Sequence, residues 1–303
     1  MRDSFIAELT DLAAADPSVM LITGDLGFGV LTDYAERYPH QFLNAGVAEQ
    51  NMTGLACGLA LEGHKVYTYS IANFTTLRAL EQVRNDVCYH DADVTLVSVG
   101  GGFSYGQLGM SHFATEDLAI LRALPNMEVI VPADSWETKL LTRQMATRSG
   151  PKYLRLDKGH AGTAEVPVEL GKIRQVRNGS DLTLIGIGGI LSEALAAADI
   201  LSVQGIEARV LAVHSLKPFD VDPVLAAASE TGGIITVEEH TILGGLGGTV
   251  AETCLEASVH PRFFRRLGLQ DQYPSVVGDQ DYLRAAYGMD APAIVAAAHE
   301  ALE

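Results

Sequence analysis

The sequence contains no apolar run of the ~20 residues that a membrane-spanning helix needs. Its first residues, Met1 to Ser4, do not lead into the apolar core of a signal peptide. Basic residues are scarce, 21 against 38 acidic ones, and the formal net charge is −17. This charge disfavours nucleic acid and anionic lipid, because both are also negative. We therefore expect a soluble, cytoplasmic globular protein with neither nucleic acid nor membrane as a partner.

Cysteine is scarce as well, and several familiar motifs are missing. Cys57, Cys88 and Cys254 lie far apart and form no C-x-x-C pair. This pattern predicts buried free thiols in a reducing compartment rather than a metal site or a disulfide framework. The sequence also has no dinucleotide fingerprint, no P-loop and no nucleophile elbow, so the signatures of those three enzyme classes are absent.

Short β-branched runs alternate with helix-like stretches along the chain. The predicted strands are Val19–Thr23, Val66–Tyr69, Val94–Val99, Val129–Val131, Tyr153–Leu156, Leu182–Ile187, Arg209–Val213 and Ile234–Val237. The predicted helices are Glu49–Leu61, Leu77–Tyr89, Ser135–Thr147, Leu191–Val203 and Gly245–Ala257. This alternation predicts an α/β fold of two domains, each with a largely parallel sheet flanked by helices.

The turn-rich stretch Lys158–Ser180 interrupts the alternation. We place the domain boundary within it. The predicted domains are 1–165 and 180–303, with a linker at 166–179.

The first candidate site segment is Asn44–Asn51, which leads into a helix at Glu49. Gly54 and Gly58 lie four residues apart on one face of that helix, where small residues let another backbone approach closely. We expect this helix to be buried, with a subunit contact as one possibility. The alternative for Glu49 is a carboxylate that only favours a helix N-terminus.

Two further candidates follow strands. Phe74 lies beyond the strand that ends at Tyr69, where ligands bind in parallel α/β sheets, and its ring could stack on a flat ligand. His112 ends the glycine-rich loop after Val94–Val99, and such loops often shape sites. The alternatives are an ordinary core phenylalanine and a structural histidine.

Taken together, these segments resemble the pyrimidine-binding domain of the transketolase family. NAGVAEQNMTGLACGLALEGH resembles the helix that carries the cofactor glutamate, and GQLGMSHFATEDLAILRALPNMEVIVPAD resembles the histidine loop and the segment after it. LKPFD and VEEHTILGGLGG resemble parts of the family's carboxy-terminal domain. The resemblance covers nearly the whole chain and matches the carboxy-terminal subunit of a split transketolase.

The resemblance implies a role for each matching residue. Glu49 corresponds to the glutamate that hydrogen-bonds N1′ of the aminopyrimidine of thiamine diphosphate, and Phe74 to an aromatic that stacks on that ring. Asp25 corresponds to an acidic residue near the thiazolium. His112 corresponds to a histidine that contacts an oxygen of the substrate. A carboxyl group can share a proton with N1′, which the cofactor needs in order to become a nucleophile, whereas glutamine could not relay that proton.

The family's diphosphate and metal signature, G-D-G followed further along by Asn, is missing. The nearest matches are Gly24-Asp25-Leu26 and Gly278-Asp279-Gln280. The resemblance therefore implies an amino-terminal partner subunit that holds the diphosphate and most contacts to Mg²⁺ or Ca²⁺. It also implies an α2β2 heterotetramer, and we predict no metal ligands in this chain.

Three positions depart from the family where it binds substrate. Leu108 stands in the stretch that often reads G-E-D-G, where the aspartate contacts a sugar hydroxyl, and leucine cannot accept a hydrogen bond. Gly100 stands where a histidine often binds the sugar phosphate. Lys158 replaces an arginine, so the cation remains but cannot bind in a bidentate way. We therefore expect an atypical small-molecule sugar or acyl donor.

The leading functional prediction is transfer of a two-carbon ketol unit from a ketose to an aldehyde, the work of a transferase of aldehyde or ketone residues. One alternative is the beta subunit of a 2-oxo-acid dehydrogenase-like complex, which shares the fold and the glutamate. The other is a non-catalytic scaffold subunit. No residue in Leu182–Glu303 stands out as catalytic in the sequence.

Overall fold

The computed structural model describes residues 1 to 303 as two β-sheets flanked by helices. The strands are β1 (Val19–Thr23), β2 (Phe42–Asn44), β3 (Lys65–Ile71), β4 (Val94–Val99), β5 (Glu128–Ile130), β6 (Lys152–Leu156), β7 (Arg174–Arg177), β8 (Leu182–Ile187), β9 (Ala208–Val213), β10 (Ser215–Lys217), β11 (Ile234–Thr241) and β12 (Phe264–Leu269). The helices are α1 (Arg2–Ala15), α2 (Thr32–Arg37), α3 (Glu49–Leu61), α4 (Ala72–Thr76), α5 (Leu80–Gln82), α6 (Asp117–Arg122), α7 (Ser135–Met145), α8 (Leu191–Val203), α9 (Asp222–Glu230), α10 (Leu246–Glu256), α11 (Gln280–Ala286) and α12 (Ala291–Leu302). Short 3-10 turns lie at Gly106–Leu108 and Gly188–Ile190.

The two sheets are largely parallel, which confirms the predicted fold class. The first sheet has the strand order β10-β5-β6-β4-β3-β1-β2, and the second has the order β12-β11-β8-β9-β7. Only the edge strands β10 and β7 run antiparallel to their neighbours. The central strands β1, β4, β6 and β8 are buried along their whole length, as expected for strands covered by helices on both faces.

Helix α3 matches its predicted bounds, and a glycine follows shortly after its end. Gly63 has a φ of +95° and its N–H bonds to the carbonyl oxygen of Ala60 at 3.0 Å, so the chain leaves the helix through a left-handed residue. Met52 and Ala56 on one face are buried. An added Cβ on Gly54 or Gly58 would meet nothing within 4 Å. The glycine-bearing face of α3 is therefore uncovered in the single chain.

The predicted helix Leu77–Tyr89 has a different form. It consists of the short α5 followed by a π-helical turn at Val83–Cys88. Two side chains from elsewhere bond carbonyl groups of this turn: Cys57 Sγ donates to Asp86 O at 3.2 Å, and Asn126 Nδ2 donates to Cys88 O at 3.0 Å. These long-range contacts could not be read from the local pattern, which correctly indicated a helical segment.

The two halves of the chain share structure across the predicted boundary. Strand β7 lies inside the predicted linker 166–179 and forms the edge of the second sheet. Strand β10 lies in the second half but pairs with β5 of the first sheet. Ile185 and Val213 of the second half pack in one core cluster with Met52 and Val94 of the first. The domain limits 1–165 and 180–303 stay a prediction.

The cysteines are free and buried, as predicted. No helix of this chain has the length and apolar character required to cross a membrane.

Candidate active site at the carboxyl edge of the first sheet

All six predicted site residues lie near the carboxyl edge of four neighbouring strands. Asp25 follows β1, and Glu49 lies beside it at the start of α3. Phe74 follows β3, Leu108 and His112 follow β4, and Lys158 follows β6. Because β6, β4, β3 and β1 are adjacent and parallel, their carboxyl ends meet at one edge, where ligands bind in such sheets.

The Glu49 side chain is buried at this edge, with only 1% of the residue exposed. Its Oε2 accepts a hydrogen bond from Arg78 Nη1 at 2.8 Å. Its Oε1 accepts none within the chain and lies close to Gly24, where an added Cβ would come within 3.6 Å of it. One carboxylate oxygen is thus anchored, and the other is available to a ligand.

Arg78 links Phe74 to this carboxylate, and Phe74 links His112 to Arg78. The Arg78 guanidinium carbon is 4.0 Å from the centroid of the Phe74 ring, a cation–π contact. The His112 ring meets the Phe74 ring edge-on, with 5.3 Å between centroids. Arg78 was not among the site residues predicted from the sequence. The signal in the sequence was its position: Arg78 is a cation four residues after Phe74, on the same segment that follows β3.

Asp25 adopts a conformation that is unusual for a residue other than glycine. Its φ is +57°, in the left-handed region. Asn44 holds it there: Asp25 N donates to Asn44 Oδ1 at 3.1 Å, and Asn44 Nδ2 donates to Asp25 Oδ1 at 2.9 Å. Such a conformation costs about 1 kcal/mol or more, and residues with this strain cluster at functional sites.

Tyr105 connects His112 to the predicted substrate residues. Its ring fills the space that a Cβ on Gly100 would occupy, at 2.2 Å from Tyr105 Cε2. Lys158 Nζ lies 4.1 Å from the Tyr105 ring centroid, and the His112 ring centroid lies 6.3 Å from it. Burial raises the pKa of Tyr105. A histidine at position 100 would displace this tyrosine. Gly100 therefore makes room for the Tyr105 ring, so this position differs from the family by its packing and not only by the loss of a histidine contact.

Leu108 and Lys158 line one cavity of about 450 Å³. Leu108 is 57% exposed there, and Tyr105 forms part of the wall. The opposite wall is Gly278–Gln280, from the half of the chain in which the sequence showed no candidate. His112 is not part of this cavity, but it contacts Tyr105, which is.

Comparisons with known proteins agree with this arrangement of strands and loops. Residues 1–163 match the family described as transketolase, pyrimidine binding domain, and residues 171–294 match transketolase, C-terminal domain. The chain belongs to the transketolase family. Its match to other members runs nearly end to end, so it aligns with the carboxy-terminal subunits of split transketolases.

Three members illustrate the similarity to this transketolase-family chain. One of the subunits of the apulose-4-phosphate transketolase of Phocaeicola vulgatus is 38% identical over 99% of this chain and 96% of its own length. The 6-deoxy-6-sulfo-D-fructose transketolase subunit SqwH of Clostridium sp. is 36% identical over 100% of this chain and 94% of its own length. A solved structure described as a split gene transketolase, inactive beta4 tetramer, superposes with a TM-score of 0.88 at 34% identity, covering 99% of this chain and 97% of that one.

The residues at the edge fit the pyrimidine half of thiamine diphosphate. A buried carboxylate with one free oxygen can bind a ring nitrogen, and a half-buried phenylalanine can support a flat ring. Asn73 beside Phe74 has a buried side-chain oxygen without a hydrogen-bond partner, while its Nδ2 donates to Ser111 O at 2.7 Å. The chain has no group of three or more His, Cys, Asp or Glu that could hold a metal ion. The fit described here is to the pyrimidine ring.

Proposed function

We propose that this chain is the pyrimidine-binding subunit of a thiamine diphosphate-dependent transketolase. It would transfer a two-carbon ketol unit from a ketose donor to an aldehyde acceptor. The observation that carries the proposal is the Glu49 carboxylate, buried at the carboxyl edge of the sheet with one oxygen bound to Arg78 and the other free. Phe74 contacts Arg78, and His112 in turn contacts Phe74.

Each residue then has a distinct task. Glu49 Oε1 holds a proton at N1′ of the aminopyrimidine, and Arg78 keeps the carboxyl group oriented through Oε2. Phe74 supports the ring, and Asp25 contributes negative charge near the thiazolium. His112 donates a hydrogen bond to an oxygen of the substrate. The cofactor, when bound, supplies the nucleophilic carbon, and the protein positions and tunes it.

An amino-terminal partner subunit completes the site in this proposal. It carries the diphosphate and most contacts to Mg²⁺ or Ca²⁺, and two copies of each chain form an α2β2 heterotetramer. The uncovered face of α3 supports such a contact, since Leu55 and Leu61 are exposed there beside Gly54 and Gly58. The solved relative is described as an inactive beta4 tetramer, which agrees with a need for a second type of subunit. The free cysteines support the cytoplasm as the compartment.

We propose further that the substrate is a sugar other than the standard pentose phosphates. In a chain of net charge −17, Lys158 is the cation that lines the cavity beside Leu108. The relatives named above act, by their names, on apulose 4-phosphate and on a sulfonated fructose. Both substrates carry an anionic end group that a lysine can bind as a point charge.

Calorimetry with thiamine diphosphate and Mg²⁺ is the first test. We expect binding to the mixture of this chain with its amino-terminal partner and none to this chain alone. Tight binding to the isolated chain would contradict the split site. Steady-state rates with D-xylulose 5-phosphate, D-xylulose and 6-deoxy-6-sulfo-D-fructose then test the substrate class, and a strong preference for xylulose 5-phosphate would refute an atypical donor.

The main rival is a 2-oxo-acid dehydrogenase-like beta subunit, which would share Glu49. The same assembly should release no carbon dioxide from 2-oxo acids such as pyruvate. Release at a rate comparable to ketol transfer would favour the rival. A Glu49→Ala assembly that remained fully active would instead favour a non-catalytic scaffold.

A further inference from the structure

The glycine-rich loop that carries Tyr105 and His112 is held by the second half of the chain. Phe103 N donates a hydrogen bond to Glu239 Oε1 at 2.6 Å. Gly102, with a φ of +57°, lies so close that an added Cβ would be 2.4 Å from the same oxygen. In the middle of the loop, Gly106 O accepts a hydrogen bond from Gly278 N at 3.3 Å. The loop is therefore seated on β11 and on the segment before α11.

Gln280 joins the two buried carboxylates under this loop. Its Nε2 donates to Asp157 Oδ1 at 2.9 Å and to Glu239 Oε1 at 2.8 Å. Asp157 in turn accepts from Ser104 Oγ, in the loop, at 2.8 Å. Arg284 Nε donates to Glu239 Oε2 at 2.5 Å and so balances one of the two charges. Asp157 directly follows β6 of the first sheet and Glu239 belongs to β11 of the second, so a single amide bridges the halves beneath the loop.

The same amide borders the cavity that holds Lys158 and Leu108. None of its hydrogen bonds reaches Glu49, Phe74 or Arg78. Moving Gln280 would thus disturb Tyr105 and the loop but not the residues assigned to the pyrimidine ring. A variant of Gln280 should therefore affect the loop and the substrate cavity without affecting the residues assigned to the pyrimidine ring, and this difference can be measured.

We propose that Gln280 is a positioning residue, through which the carboxy-terminal half sets the position of loop 100–112 over the substrate cavity. The carboxy-terminal half then governs substrate binding, whereas cofactor contacts stay with the first half. The link to substrate rests on the proposed function, but the link to loop position does not.

Gln280→Met tests the proposal, because methionine has a similar length and cannot donate a hydrogen bond. The matched control is Gln272→Met, an exposed glutamine eight positions earlier whose side chain makes no hydrogen bond. Hydrogen–deuterium exchange of the full chain should show amides in 100–112 exchanging about tenfold faster in Gln280→Met, since bonds to charged acceptors are lost. Amides in 40–60 should not change. Unchanged exchange in 100–112, or an equal rise in both regions, would overturn the proposal.

The complex with the amino-terminal subunit supplies the functional readout. With whichever of the three sugars named above is turned over fastest, Gln280→Met should raise KM about fivefold or more and leave kcat within about twofold. The affinity for thiamine diphosphate should match that of Gln272→Met. A lower kcat with unchanged KM would overturn the role in substrate binding. If the wild-type complex turned over no sugar, the proposed function would fail, and the exchange experiment alone would decide the role of Gln280.

A second variant covers the case in which Gln280→Met does not fold. Ser104→Ala removes, with a loss of one atom, the hydrogen bond that joins the loop to Asp157, the carboxylate that Gln280 holds. It should also speed exchange in 100–112 without an effect in 40–60. No change there would count against the proposal.

Discussion

Replacing Glu49 by glutamine separates proton sharing from simple hydrogen bonding. Glutamine keeps the shape and one oxygen for Arg78, but it cannot share a proton with N1′. The Glu49–Arg78 ion pair has one partner that is 44% exposed, so we expect its loss to cost about 1 kcal/mol of stability at most. Loss of a general acid–base group lowers the rate by about 10²- to 10⁴-fold, or roughly 3–5 kcal/mol in the barrier. The effect on activity should therefore far exceed the effect on folding.

The assay combines three measurements on the complex with the amino-terminal subunit. Glu49→Gln should bind thiamine diphosphate with an affinity within about tenfold of wild type, because glutamine can still form a hydrogen bond to the ring, worth ~1 kcal/mol. Exchange of the cofactor's C2 proton with deuterium, followed by NMR, should slow in step with kcat. Glu62→Gln, an exposed residue directly after the same helix, is the matched control and should behave as wild type. Turnover by Glu49→Gln within threefold of wild type would refute the proton role.

Three other variants address the ring, the substrate and the pH dependence of stability. Phe74→Ala should weaken thiamine diphosphate binding about tenfold by calorimetry, since it removes an aromatic contact worth roughly 1 kcal/mol together with its buried area. Lys158→Met should raise KM about tenfold for a phosphorylated or sulfonated donor and leave an uncharged donor within twofold, because a charge-assisted contact is lost. Burial alone would raise the pKa of Glu137, yet His214 and Arg174 hold it below its ordinary value of 4.5. The ionised Glu137 carboxylate stabilises the fold above pH 4.5, and this contribution is lost as the pH falls through the lower folded-state pKa. Glu137→Gln should therefore flatten the decline of the urea midpoint below pH 4.5. An unchanged slope would contradict this.

The fold could be predicted well for the buried central strands. Val19–Thr23, Val94–Val99 and Leu182–Ile187 have the predicted bounds because β-branched runs buried on both faces leave a clear pattern. Strand β10 was missed because its three residues carry no periodicity. Its pairing with β5 depends on a partner more than eighty residues earlier, which no local window contains.

Individual residues of the candidate site could be proposed from the sequence, whereas the contacts between them could not. Glu49, Phe74 and His112 stand in segments with a distinctive composition, and the structure brings them together. Arg78 and Gln280 stand in segments without such a signal. Their proposed roles rest on contacts across 29 residues to Glu49 and 123 residues to Asp157, which only the folded chain reveals.

The placement of β10 has a consequence for how the protein unfolds and how it tolerates cleavage. A cut near residue 165 would leave β10 hydrogen-bonded to β5 and the shared core intact, so the two fragments should remain together and melt in one transition. A chain truncated before β10 would instead expose the edge of β5 and uncover apolar residues of the core. Either half expressed alone should therefore be prone to aggregation, and gene fusions or tags are better placed at the ends of the chain than at the apparent boundary between its two family matches.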